Sequence, residues 1–330
     1  MATINLDRKF CVAPMMGYTT PHARTLYRIL SKKIFLFSEM IPTKTLLYSK
    51  TRDQIISNNL QNPIALQVGG SDIDDLIKST EIAKSYGYDE INLNVGCPSK
   101  AVQKGCFGAS LMKNKKLVRL CLENMKKVND IEVSIKCRIG IGKEFNYDFF
   151  LDFIDEIIKS DIKIIYVHAR NAILNGISPK GNRSIPPLNY NFITKIKKEF
   201  PHINFIINGG IDSIEKAYSL SNEFDGVMVG RLIQHNPFCL MNVDKLFFNI
   251  KKDQSFNEKI ILDYFNYIKP KISNESIFRL LSPLLQIFFG VPNSKSLKIE
   301  IHEKIKNKEI DMLENLFLKF VTQQKQLSFN

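Results

Sequence analysis

Over the first three-quarters of the chain, short runs of β-branched and aromatic residues alternate with longer stretches whose apolar residues recur at helical spacing. The short runs FCVAP (10–14), IFLFSE (34–39), IALQV (64–68), EINLNV (90–95), EVSIK (132–136), IIYVH (164–168), NFIIN (204–208) and GVMVG (226–230) predict eight strands. Between them, SDIDDLIKSTEIAKSYG (71–87) and YDFFLDFIDEIIKS (147–160) predict helices. In the first, Ser71 is the expected N-cap, acidic residues follow it in the first turn, and Gly87 is the expected C-terminal stop. Strands separated by helices imply parallel βαβ units, and a count of eight selects a closed (β/α)8 TIM barrel over an open doubly wound sheet. From about Met241 the periodicity is helical throughout, in KLFFNIKK, EKIILDYFNYIKPKI, IFRLLSPLLQIFFG and LKIEIHEKIKNKEIDMLENLFLKFV. The expected organisation is therefore α/β, with a barrel domain over residues 1–243, a small C-terminal helical domain over 244–330, and a polar tail TQQKQLSFN.

A chain of 330 residues, 44% of them hydrophobic, can bury one sizeable core and a smaller second one. Its 46 Lys+Arg against 33 Asp+Glu leave a formal charge of +13, and the helical segment from Lys251 carries 13 basic and 9 acidic residues. Such a surplus favours a polyanionic partner, because each neutralised phosphate releases condensed counterions. Abundant Lys, Ile and Asn with no Trp also fit a drift toward A/T-rich codons, so charge supports a nucleic-acid partner without deciding it. Six cysteines (Cys11, Cys97, Cys106, Cys121, Cys137, Cys239) lack C-x-x-C spacing, which speaks against a zinc site or disulfide framework and for a reducing compartment. The N-terminal MATINLDRKF lacks the apolar core of a signal peptide, and no apolar run is long enough to span a bilayer. A soluble, cytoplasmic, monomeric protein with no metal is the expectation.

Barrel enzymes place their chemistry on the loops at the C-terminal ends of the strands. Here those ends read Pro14-Met15-Met16, Glu39-Met40, Gln67, Asn94-Val95-Gly96-Cys97-Pro98, Lys136-Cys137-Arg138, His168-Ala169-Arg170, Asn208-Gly209-Gly210 and Gly230-Arg231. Fold alone would ask only for turn formers there; converging Lys, His, Gln, Cys and Arg point to one composite site. The glycines after strands seven and eight let backbone N–H groups approach an anion, and those loops are the usual phosphate site of such barrels, with Arg231 adding a charged hydrogen bond. Pro14, Met15 and Met16 offer apolar and backbone contacts to a flat ring, Gln67 an amide, and Lys136 and His168 donors. An isoalloxazine needs such a ring of donors, and together with the phosphate site they point to bound FMN. In NVGCPSKAVQKGCFGAS, Pro98 restricts Cys97 to extended backbone, which can hold a thiol in the barrel mouth. Uracil reduction needs a hydride at C6 and a proton at C5, and a poised thiol can supply the proton. Spacing leaves Cys106, on the same loop, as a rival.

The strings APMMGYTT, EMIPTKTLLY, ALQVGGSD, YDEINLNVGCPSKAVQKGCFGASLM, VSIKCRIGIG, YVHARNAILNGISPKGNRSIPPLNY, IINGGI and DGVMVGRLIQHNP, in this order, resemble the tRNA-dihydrouridine synthases. The likeness is to the bacterial A-type members, which act on D-loop uridines 20 and 20a; it runs over the whole barrel and less clearly over the helical segment. It implies an FMN enzyme that uses NADPH to reduce uridine in tRNA to 5,6-dihydrouridine, with hydride passing from flavin N5 to C6. By motif position it makes Cys97, not Cys106, the general acid. It places Pro14, Met15, Met16, Gln67, Lys136, His168, Asn208, Gly209, Gly210, Gly230 and Arg231 around FMN and Asn94 against the target base. Lys180 and Arg183 in the loop after strand six would hold tRNA, as would Lys295 and Lys298, which align with two arginines of the family's tRNA-binding signature.

The chain departs from the family pattern at Gly17-Tyr18 and Thr20, where Asp-Trp and Asp are usual, and at Cys137, where histidine is common. Lysines at 295 and 298 neutralise phosphate without the planar fork of arginine. Two readings compete: a flavin barrel acting on a free pyrimidine, similar to dihydroorotate dehydrogenases, and a tRNA-binding module without redox function.

Overall fold

Eight strands form where the apolar runs predict them, and they pair in parallel around a barrel. The computed structural model describes residues 6–58, 61–142, 146–250, 258–288, 291 and 294–328. The first five residues of the N-terminal segment, Lys251 and Lys252 of KLFFNIKK, Phe289 and Gly290 of IFRLLSPLLQIFFG, and the last two of the polar tail lie outside the described residues. The strands are β1 (Phe10–Val12), β2 (Leu36–Pro42), β3 (Ile64–Gly69), β4 (Glu90–Val95), β5 (Glu132–Arg138), β6 (Ile164–His168), β7 (Asn204–Asn208) and β8 (Gly226–Val229). From β2 to β8 each pairs with its successor, and β1 pairs with β8. The seam between β1 and β2 is joined by a parallel bridge, Cys11 to Phe35. There the Val12 N–H donates to Phe35 O and the Phe35 N–H to Phe10 O, both at 2.9 Å.

β1 is shorter than expected because Pro14 has no N–H to continue the ladder. β2 starts later and runs on to Pro42, past a register shift between Phe37 and Met40. The helix after β3 spans Ile73–Ser85, and its N-cap is Asp72, not Ser71. A side-chain cap must reach the amide three residues on, and the Asp72 carboxylate accepts the Asp75 N–H at 2.9 Å. Gly87 stops this helix in the left-handed region (φ +72), with Gly87 N–H on Lys84 O and Tyr88 N–H on Ala83 O.

Alternation along the strands turns Cys11, Phe37, Ala65, Tyr166, Ile206 and Met228 into the barrel interior. Low in the interior the packing is polar. Arg8 and the fully buried Glu90 pair at 2.6 Å, and Glu90 also takes hydrogen bonds from Ser134 and Tyr166. Removing one partner of a buried pair strands the other charge. Glu90→Ala is therefore expected to lower unfolding free energy by about 3–5 kcal/mol in denaturant titration; a loss below about 1 kcal/mol, the size of a surface pair, would contradict it.

By contacts the chain divides into two compact units, Met1–Pro21 with Ile34–Arg231, and His22–Lys33 with Leu232–Asn330. Most of the helix after β1 (Pro21–Leu30) thus groups with the C-terminal helices. The second unit buries Tyr264, Phe265, Phe288 and Phe317, with Phe265 and Phe288 centred 5.8 and 5.5 Å from Phe317. In the same unit His22 contacts Glu275 at 2.8 Å and Tyr267 at 3.0 Å, and buried Asp244 accepts the amides of Lys32 and Lys33. Among the described residues no helix is long and apolar enough to cross a membrane, and no cluster of His, Cys, Asp or Glu could hold a metal ion.

Candidate active site

Because side chains alternate along a strand, the residues two positions beyond Ala65, Tyr166, Ile206 and Met228 face the same interior at its C-terminal end: Gln67, His168, Asn208 and Gly230. Asn94 joins them from β4 and Lys136 from β5, as register partners. Lys136 Nζ donates to Asn208 Oδ1 at 3.0 Å, and Asn208 Nδ2 donates to Met228 O at 2.6 Å. Burial foremost, then the nearby Arg138 cation, depresses the Lys136 pKa to about 8. His168 is held well below the ordinary imidazole range by burial and by Arg138, Lys136, Arg170 and Arg231, so its ring is neutral at pH 7. Its Nδ1 is buried with no hydrogen-bond partner among the described residues.

A single hydrogen-bonded column rises through the interior to the cysteine. The Ser134 hydroxyl donates to Glu90, Asn92 Nδ2 to Ser134 at 2.7 Å, Gln67 Nε2 to Asn92 Oδ1 at 2.8 Å, and Asn94 Nδ2 to Gln67 Oε1 at 2.8 Å. Asn94 Oδ1 then accepts the amides of Gly96 at 3.2 Å and Cys97 at 3.0 Å. Asn94 therefore shapes the turn that presents Cys97, and Gln67 keeps one N–H and one lone pair for anything else. Cys97 is half-buried, and its carbonyl accepts the Ala109 N–H at 2.9 Å. Cys106 is exposed and sits at φ +57. The column's lower members were not singled out in the sequence, although a signal was there: Glu90, Asn92 and Asn94 recur at every second position of a strand buried on both faces.

At the mouth, Gly209 (φ +109) and Gly210 (φ +66) adopt positive φ, and Tyr190 Oη donates to Gly209 O at 2.6 Å. A Cβ on Gly209 would lie 3.1 Å from the His168 ring, and one on Gly230 3.4 Å from Ala13 and 3.5 Å from Met15. Pro14 and Met15 are half-buried, whereas Met16 is 65% exposed. Arg231 is exposed and donates to Arg183 O at 3.0 Å. Lys180 and Arg183 are exposed at the 3-10 turn Gly181–Arg183. In the other unit, Lys295 and Lys298 are exposed on the helix Ser294–Lys306, on the same face as His302, whose ring stacks on Phe278 at 5.8 Å.

These features fit FMN on grounds internal to the site. The glycine cradle with Arg231 suits a terminal phosphate, and Lys136 would supply the cation that a ring gaining negative charge needs. His168 Nδ1 is a buried polar atom without a partner among the described residues, as a site for a polar ring would leave it.

Residues 11–324 match the sequence model of the family described as Dihydrouridine synthase (Dus). The chain is 39% identical over 300 residues to a tRNA-dihydrouridine(20/20a) synthase of Shewanella oneidensis, covering 91% of this chain and 89% of that protein. It is 38% identical over 302 residues to the protein of that name in Escherichia coli K12 (91% and 87% covered), and 38% over 297 residues to that of Vibrio vulnificus (89% and 91%).

Proposed function

The chain belongs to the dihydrouridine synthase family, and from that premise we propose that it is an FMN-dependent enzyme reducing D-loop uridines of tRNA at positions 20 and 20a, with NADPH as reductant. The observation that carries this reading is the convergence of Gln67, Asn94, Lys136, His168 and Asn208 on one rim with Cys97 presented at the end of β4. Gly209, Gly210, Gly230 and Arg231 would hold the phosphate of FMN. Gln67, Lys136, His168 and Asn208 would hold its ring, with Pro14, Met15 and Met16 offering it apolar and backbone contacts. When bound and reduced, FMN supplies the hydride for C6 of uracil. Cys97 Sγ holds the proton and delivers it to C5 from the opposite face. Asn94 fixes the thiol and stands where the base enters. Lys180 and Arg183, with Lys295 and Lys298 in the helical unit, hold RNA phosphates and offset the few kcal/mol needed to flip a base, least in a loop where stacking is already poor.

Lys136 makes the reading sensitive to pH. Its depressed pKa of about 8 means the cation is present below that pH and is lost as pH rises through it. FMN affinity, read by quenching of flavin fluorescence, is expected to fall by up to about fivefold from pH 8 to pH 9 in the wild type. It is expected to stay flat in Lys136→Met. An identical decline in the variant would take Lys136 out of the cofactor site.

Nucleotide-resolution mapping of dihydrouridine in tRNA from cells lacking this gene tests reaction and position together. Loss at 20 and 20a alone is expected; unchanged tRNA would overturn the proposal.

A further inference from the structure

Arg138 is 4% exposed, yet among the described residues its hydrogen-bond partners include no carboxylate. Burying a guanidinium without a counter-charge is costly, so its three contacts define what it does for the fold. All three are backbone carbonyls, drawn from two loops. Nε donates to Gly96 O at 3.0 Å, the residue directly before Cys97. One terminal nitrogen donates to Asn171 O at 3.0 Å and to Asn182 O at 2.9 Å, both in the loop after β6. Burial pushes the Arg138 pKa down to about 10, which still leaves it charged at neutral pH.

Asn182 is the internal clasp of that loop. It is fully buried; its Oδ1 accepts the Ile173 N–H at 2.8 Å and its Nδ2 donates to Ile173 O at 2.9 Å. The exposed Lys180 and Arg183 flank it on either side. A continuous hydrogen-bonded path thus leads from the basic loop, through Asn182 O, Arg138 and Gly96 O, to the peptide of Cys97. A second tie runs in parallel, since Gln103 Nε2 donates both to Pro98 O at 2.9 Å and to Leu174 O at 3.1 Å.

We propose that Arg138 is a positioning residue that yokes the Cys97 loop to the basic loop after β6, so that the aim of the thiol depends on where the basic loop sits. The inference rests on the proposed function only for the claim that this loop meets RNA. A planar fork with donors on two edges is what allows one side chain to hold both loops; a lysine can hold at most one of them firmly.

The test compares Arg138→Lys, Asn182→Ala and the double variant as full-length protein. The first readout is the rate at which iodoacetamide alkylates Cys97 in the folded protein, resolved from Cys106 by peptide mass spectrometry. The second is the single-turnover rate of dihydrouridine formation at saturating tRNA. Both single variants are expected to speed alkylation several-fold by loosening the loop. Arg138→Lys is expected to slow uridine reduction by about 100-fold, the scale of an ångström-sized misplacement. The double variant is expected to be little worse than the stronger single one, because both break the same link. Wild-type alkylation of Cys97 in Asn182→Ala, or effects that multiply in the double variant, would overturn the yoke. Should Arg138→Lys fail to fold, alkylation of Asn182→Ala decides alone. A wild-type protein that reduces no tRNA uridine while the alkylation coupling holds would sink the functional reading and leave the yoke in place.

Discussion

Cys97→Ala is expected to lower dihydrouridine formation by about a thousandfold while flavin binding and NADPH oxidation continue at wild-type rates; general acids contribute on this scale. Three backbone hydrogen bonds around Cys97 fix the thiol without engaging it: its own N–H to Asn94, its carbonyl from Ala109, and the preceding carbonyl from Arg138. Removing the sulfur leaves that frame and the Gly209-Gly210 turn untouched, so only the proton is lost. Cys106→Ser is the matched control. Cys106 is exposed in a left-handed turn, and its removal is expected to change turnover by less than about twofold, as for surface changes in general. Mass spectrometry of tRNA hydrolysates and oxygen-coupled NADPH consumption read the two halves separately. Full product yield from Cys97→Ala would remove Cys97 from the mechanism.

Gly209→Val is expected to leave the purified protein colourless, with FMN affinity down by about 100-fold or more. Two costs act together. At φ +109 a β-branched residue is strained by about 1–3 kcal/mol, and the added atoms press on His168, whose ring lies 3.1 Å from the position of a Cβ. That strain alone corresponds to roughly 5- to 150-fold in binding if it is relieved by shifting the loop. The apoprotein is expected to unfold cooperatively, a few degrees below wild type. A yellow Gly209→Val protein with wild-type affinity would mean that FMN phosphate does not rest on this loop.

Much of the barrel was legible because its strands are dense in Ile, Val and Phe and its helices are amphipathic, two patterns that survive without neighbours. The rim was legible because one rule, chemistry at strand ends, converts strand positions into a list of residues. What stayed hidden depends on partners distant in sequence. The second strand reads as ending at Glu39, yet Met40, Ile41 and Pro42 go on to pair with Gln67, Val68 and Gly69. Ser71 and Asp72 are both good caps, and only the position of the first helical turn chooses between them. The resemblance places Asn94 against the base; that its atoms also hold Gln67 and the Cys97 turn is visible only in the structure. Arg138 reads as one more rim cation; its function as a tie between loops depends on carbonyls 33 and 44 residues away.

The most direct test incubates the purified, FMN-loaded protein with NADPH and an unmodified tRNA transcript, and maps dihydrouridine by nucleotide. The expected product is dihydrouridine confined to D-loop positions 20 and 20a, formed at the expense of NADPH. Turnover of free uridine or orotate with the transcript left unreduced would contradict the account.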